Sequence, residues 1–117
     1  MRPWTLLAAV NGFLAVGFGA YAAHGLPAEA AALADRASQY QLVHAVVLLA
    51  VQPLASAGNR WATLAGGLFV FGILMFSGSL YWKAMIGPPP VPMLAPAGGF
   101  ALLFGWLALT VAALRRR

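Results

Sequence analysis

The chain has 117 residues, 62% of them hydrophobic and only 8% charged, with a formal net charge of +5 and a mean hydropathy of +0.84. Soluble domains carry about 25% charged residues, and a globule this small has a large surface to cover, so the composition excludes an ordinary soluble domain and points to a bilayer as solvent. Cysteine is absent, which excludes disulfides, thiolate catalysis and thiolate-ligated metal centres.

A spanning helix uses about 20 residues, so the chain has room for four with short connections. The first span is expected over about residues 4–23, behind Arg2 and Pro3. Its apolar stretch is long for a signal-peptide core, so it is read as retained despite the small-x-small run Ala20-Tyr21-Ala22. An alanine-rich stretch with Glu29, Asp35 and Arg36 follows. Pro27 suits the first turn of a helix, and a short surface helix is expected there, in an outer loop. The second span is expected over 40–56, kinked or broken near Pro53. After the tight turn Ala57-Gly58-Asn59-Arg60 comes the third span, 61–82, which makes an antiparallel hairpin with the second. The run Gly87-Pro88-Pro89-Pro90-Val91-Pro92 forbids helix and reads as a stiff polyproline spacer. The fourth span, about 95–114, stops at Arg115, Arg116 and Arg117.

The expected fold is therefore an all-α membrane protein, a four-helix transmembrane bundle of one domain. Arg2, Arg60 and the terminal arginines fall on one side; Arg36 and Lys83 are balanced by Glu29 and Asp35 on the other. The positive-inside rule then places both termini in the cytoplasm. The basic residues flank apolar runs, so orientation explains them and nucleic acid is not an expected partner.

Small residues let helices approach closely in lipid. Gly12 and Gly19 in the first span, Gly72 and Gly78 in the third, and Gly98, Gly99 and Gly105 in the fourth are the expected packing positions. An offset of 60 residues aligns Gly12 with Gly72 and Tyr21 with Tyr81, a hint of two related hairpins.

Polar groups inside a membrane are costly and are paired or functional. No Asp or Glu falls within an expected span, which removes carboxylate relays and paired-carboxylate catalysis. His24 ends the first span and His44 opens the second, so both are expected at similar depth near the outer face. Tyr40 and Gln41 flank His44 at helical spacing, and Ser77, Ser79 and Tyr81 sit at the same end of the third span. Together they form an expected outer polar cluster: His24, Tyr40, Gln41, His44, Ser77, Ser79 and Tyr81. Interhelical hydrogen bonding accounts for such a cluster; a site for a lipid headgroup, quinone or small solute is the alternative. Two histidines satisfy few metals, and a histidine without a nucleophile or orienting carboxylate is no catalytic constellation. No catalytic residue, metal or cofactor is therefore assigned. Asn11 and Gln52 are read as helix contacts, and Trp106 as packing against the glycine grooves.

Four blocks carry a family resemblance: Gly17-Phe18-Gly19-Ala20 with Ala23-His24-Gly25-Leu26; Gln39-Tyr40-Gln41-Leu42-Val43-His44-Ala45; Phe76-Ser77-Gly78-Ser79-Leu80-Tyr81; and Pro96-Ala97-Gly98-Gly99 with Gly105-Trp106. Together they resemble the small membrane family known as domain of unknown function 423, which is similar to the animal transmembrane protein 256. The resemblance covers nearly the whole chain, although Tyr21-Ala22 stretches the first block and the proline-rich loop is longer than usual. It implies four transmembrane helices in a bacterial inner membrane and no established activity. Its motif residues coincide with the polar cluster. On these grounds the expected function is non-enzymatic, with the protein acting in the lipid bilayer by lateral association, as an oligomer or as a subunit of a larger membrane complex. A small-molecule, lipid or cofactor binder around His24 and His44 is the alternative.

Overall fold

The computed structural model describes residues 1–115; Arg116 and Arg117, on which part of the expected charge asymmetry falls, lie outside the described residues. Helix α1 spans Pro3–Gly25, with Pro3 in its first turn, where the missing N–H is no loss. Helix α2 spans Ala28–Ser56, α3 Arg60–Gly72, α4 Gly78–Met85 and α5 Leu94–Leu114. A π-helical turn, Ile73–Ser77, joins α3 to α4, so these form one rod, Arg60–Met85. All regular structure among the described residues is helical. Pro3–Gly25, Arg60–Met85 and Leu94–Leu114 are each long and apolar enough to cross a membrane.

The surface helix expected between the first two spans is not a separate element. It is the first part of α2, one helix of 29 residues. The cause is local: Ala28 to Gln52 contains neither glycine nor proline and is rich in alanine, the best helix former. Pro53 does not break the helix either. It lies in the last turn, and the helix forgoes only the one N–H bond from that position to the carbonyl four residues back. Gly58 then adopts a left-handed conformation (φ 89°) and turns the chain.

Helix α2 is central, with α1 packed along one side and the α3–α4 rod along another, while α5 packs on α3 and the π turn. On α1 the buried residues are Ala8, Ala15 and Ala22, a seam repeating every seventh position. Leu48, Val51, Phe69, Ile73 and Leu102 fill the core.

Polar side chains clamp the helix ends. The Gln52 Oε1 atom accepts from the backbone N–H groups of Trp4 (2.8 Å) and Thr5 (3.1 Å). It thereby caps α1, whose own N-cap, Arg2, makes no side-chain cap. Asn59 is 2% exposed. Its Oδ1 accepts from Trp61 and Ala62 N–H at the start of α3, and its Nδ2 donates to Ala112 O near the end of α5. These bonds bring the start of α1, the 57–59 turn and the end of α5 to one end of the bundle.

Candidate functional site

Four polar residues of α2 occupy the faces turned toward its neighbours. Ser38, Gln41, His44 and Gln52 are buried, whereas Leu42, Val43, Val46 and Leu49 of the same helix are exposed. A connected run of three bonds links α1, α2 and α4, two of them between helices and the last within α1. Tyr81 Oη donates to Gln41 Oε1 (2.7 Å), Gln41 Nε2 donates to Asn11 Oδ1 (3.0 Å), and Asn11 Nδ2 donates to Leu7 O (2.9 Å). Two hydroxyls make similar bridges: Ser38 Oγ donates to Ala15 O (2.7 Å) and Ser77 Oγ to Ala37 O (2.8 Å).

His44 links α2 to α5. Its Nδ1 lies 2.6 Å from Tyr40 O, and Trp106 Nε1 donates to its Nε2 at 3.0 Å. A carbonyl only accepts and an indole N–H only donates. The imidazole is therefore neutral, with its proton on Nδ1 and the Nε2 lone pair directed at Trp106. The ring also belongs to an aromatic triangle, 5.5 Å from Phe69 and 5.8 Å from Trp106 between centroids, with Phe69 and Trp106 5.2 Å apart. Both nitrogens are thus engaged, one by a backbone carbonyl and the other by an indole N–H.

His24 does not join this network. It is exposed in the last turn of α1. The Gln41–Asn11 bond puts the start of the network 13 residues below His24 along α1, about 20 Å at 1.5 Å per residue. The similar depth expected for His24 and His44 assumed a second helix starting near Tyr40; with α2 starting at Ala28, His44 lies well inside the bundle. Tyr40 contributes its backbone carbonyl to His44, while its ring is exposed and packs 4.8 Å from Phe76. Ser79 is buried, and its Oγ has no hydrogen-bond partner among the described residues.

The glycines divide sharply. A Cβ on Gly98 would collide with the Phe76 backbone nitrogen in the π turn. On Gly72 it would come within 2.5 Å of Leu102 Cδ2, on Gly105 within 2.7 Å of Phe69 Cε1, and on Gly19 within 2.8 Å of Ser38 Oγ. Gly99 makes only ordinary contact, 3.8 Å from Phe76, and Gly12 and Gly78 meet nothing within 4 Å. Gly12 and Gly78 are therefore not close-packing positions within this chain, and the 60-residue offset pairs an open glycine, Gly12, with a filled one, Gly72. Gly66 packs closely too, against the Trp4 ring at 2.7 Å. Sequence reasoning missed Ser38 and the clamping role of Asn59. Asn59 had a signal, an Asn immediately before a helix; the partners of Ser38 and Trp106 are too distant in sequence to be paired by spacing.

Among the described residues, no three His, Asp or Glu side chains gather around a common point. Comparison with known proteins gives a consistent setting. A family model described as a protein of unknown function, DUF423, matches residues 18–99. A UPF0382 membrane protein of Staphylococcus epidermidis is 34% identical, with 98% of each chain covered. One of Haemophilus influenzae is 38% identical over 92% of this chain and 90% of its own. Another, of Bacillus subtilis, is 36% identical with 98% of each chain covered. No solved structure matches the chain.

Proposed function

Since the chain belongs to the DUF423 family of small membrane proteins, we propose that it is a non-enzymatic four-span protein of the inner membrane that acts by lateral association, as an oligomer or an accessory subunit. The observation that carries this reading is the inward saturation of its polar groups. Asn11, Ser38, Gln41, His44, Gln52 and Ser77 all bond within the bundle, while Leu42, Val46, Phe71, Leu103 and Leu107 face outward. What such a molecule offers its surroundings is an apolar surface and the shape of its helices.

Helix α2 supplies the fourth span in this reading. Its average hydropathy is lowered by Gln41, His44 and Gln52, but those side chains are buried against other helices, and the face left for lipid is aliphatic. From the exposed charges Asp35 and Arg36 to Ser56 is about 30 Å, the hydrocarbon thickness of a bilayer. The end of the bundle that holds Arg2, Arg60 and Arg115 carries basic residues alone, which supports cytoplasmic termini. A reporter enzyme fused after Arg117 should be active only in its cytoplasmic form; periplasmic activity would overturn this orientation.

Helix α1 supports lateral association because its buried seam is narrow and leaves Phe13, Val16 and Tyr21 exposed. Native mass spectrometry from membranes should detect an oligomer or a complex with another membrane protein. A lone monomer at native expression would contradict the reading. The alternative, a binder around His24 and His44, has a shallow groove of about 160 Å³ at His44 alone, lined by Gln39, Tyr40, Val43 and His44 and not by His24. With both His44 nitrogens already bonded, association is the stronger reading.

A further inference from the structure

Among the described residues, Ser79 Oγ is the one buried side-chain polar atom without a hydrogen-bond partner. A helical serine commonly returns its hydroxyl to a carbonyl three or four residues back. Ser79 does not, and it lies two residues after the π turn Ile73–Ser77. π turns of this kind recur at functional sites. A buried hydroxyl left unbonded costs stability, a cost that a partner from outside the chain would offset.

Ser79 lines a cleft of about 280 Å³ with Leu74, Gly78, Trp82, Pro89, Pro90 and Leu94. The cleft lies between the end of the α3–α4 rod, the proline-rich loop and the start of α5. Ser79, whose hydroxyl is buried in the wall, and Trp82 are the lining residues with a polar side-chain group; the walls are otherwise apolar. An indole N–H donates only, and a serine hydroxyl can donate, so the complementary group is an acceptor. Apolar walls favour a neutral acceptor on a hydrocarbon frame over an ion, because a charge desolvated there would have no opposite charge to pair with. Half-exposed Trp82 (42%) also suits the membrane–water boundary, where tryptophan concentrates. The prolines hold one wall in place, which lowers the ordering cost of binding. The apolar groove on α1, lined by Phe13, Leu14, Gly17, Phe18, Tyr21 and Met85, has no such unbonded buried group.

We propose that this cleft binds the carbonyl group of a membrane amphiphile, held by the Trp82 indole N–H and by the Ser79 hydroxyl once its side chain turns from the wall into the cleft. Two sources share that chemistry: the acyl ester of a glycerophospholipid and the ring carbonyl of a quinone. The site stands apart from the lateral-association reading, since a monomer can hold a lipid and an oligomer can form without one.

The test is native mass spectrometry of the delipidated full chain in detergent, titrated with dioleoyl-phosphatidylglycerol and, separately, with decylubiquinone. A saturable one-to-one adduct is expected with at least one probe, and whichever binds more tightly identifies the source. Ser79→Ala and Trp82→Phe should each weaken that adduct about fivefold, the worth of one neutral hydrogen bond. Thr110→Ala, on an exposed residue whose hydroxyl bonds only back to Trp106 O, should leave it unchanged. Ser79→Ala removes an unbonded group and should melt no lower than the parent, which separates loss of binding from loss of fold. An undiminished adduct in Ser79→Ala, or no one-to-one adduct with either probe, would overturn the proposal.

Discussion

Gly98→Ala is expected to lower stability by about 3 kcal/mol, the upper end of the range for overpacked sites. The added methyl would meet the backbone nitrogen of Phe76 and the Cβ of Met75. Backbone has no rotamer by which to yield, so α5 must move away from the π turn. That movement would also disturb the neighbouring contact in which Gly72 approaches Gly98 O and Leu102. Gly99→Ala serves as the matched control, one residue along the same helix, where the nearest atom is 3.8 Å away. It should be neutral or slightly stabilising, because alanine is the better helix former. Gly12→Ala should behave likewise, with nothing within 4 Å. Thermal melting of the variants in one detergent reads the difference, and equal losses at Gly98 and Gly99 would refute the packing described for α5.

His44→Ala is expected to cost roughly 2–4 kcal/mol. Hydrogen bonds between helices in a bilayer average only about 0.6 kcal/mol, so most of the loss comes from the hole beside Phe69 and Trp106. The variant strips Trp106 Nε1 of its acceptor and Tyr40 O of its side-chain partner. Trp106→Phe keeps much of the ring and removes only the N–H, and should cost about 1 kcal/mol. Both variants should lower melting temperature in that order. If His44→Ala melted with the parent and instead released a co-purified ligand, the ring would be a binding group and its structural role would fall.

The different legibility of these features has physical causes. The helical, membrane-embedded character was written in composition and in the long apolar runs of α1, the α3–α4 rod and α5. The continuity of α2 was obscured because Glu29, Asp35 and Arg36 divide its hydropathy, whereas helix propensity, which ignores charge of this kind, runs on unbroken from Ala28. That one difference moved His44 from the rim of the bundle to its interior and separated it from His24. Spacing along a helix brought Tyr40, Gln41 and His44 onto neighbouring positions, but the partners that use them, Asn11, Tyr81 and Trp106, come from other helices.

The glycines make the same point. Gly12 and Gly72 look alike in sequence, and only the side chain on the opposing helix decides which one is filled: Leu102 stands against Gly72, and open space against Gly12. The π turn at Ile73–Ser77 has no sequence signature of its own. Its position against Gly98 becomes evident only once α5 is in place.

The polar side chains buried in the bundle, Ser79 excepted, bond within it, and His44 is held at both ring nitrogens. Imidazole nitrogen NMR of the selectively ¹⁵N-histidine-labelled protein in lipid bicelles tests this arrangement most directly. His44 should show a protonated Nδ1 and a bare Nε2 that accepts from the Trp106 indole proton, and this pattern should be unchanged when divalent metal is added. A proton on Nε2, or a metal-dependent shift of the Nε2 signal, would contradict the account.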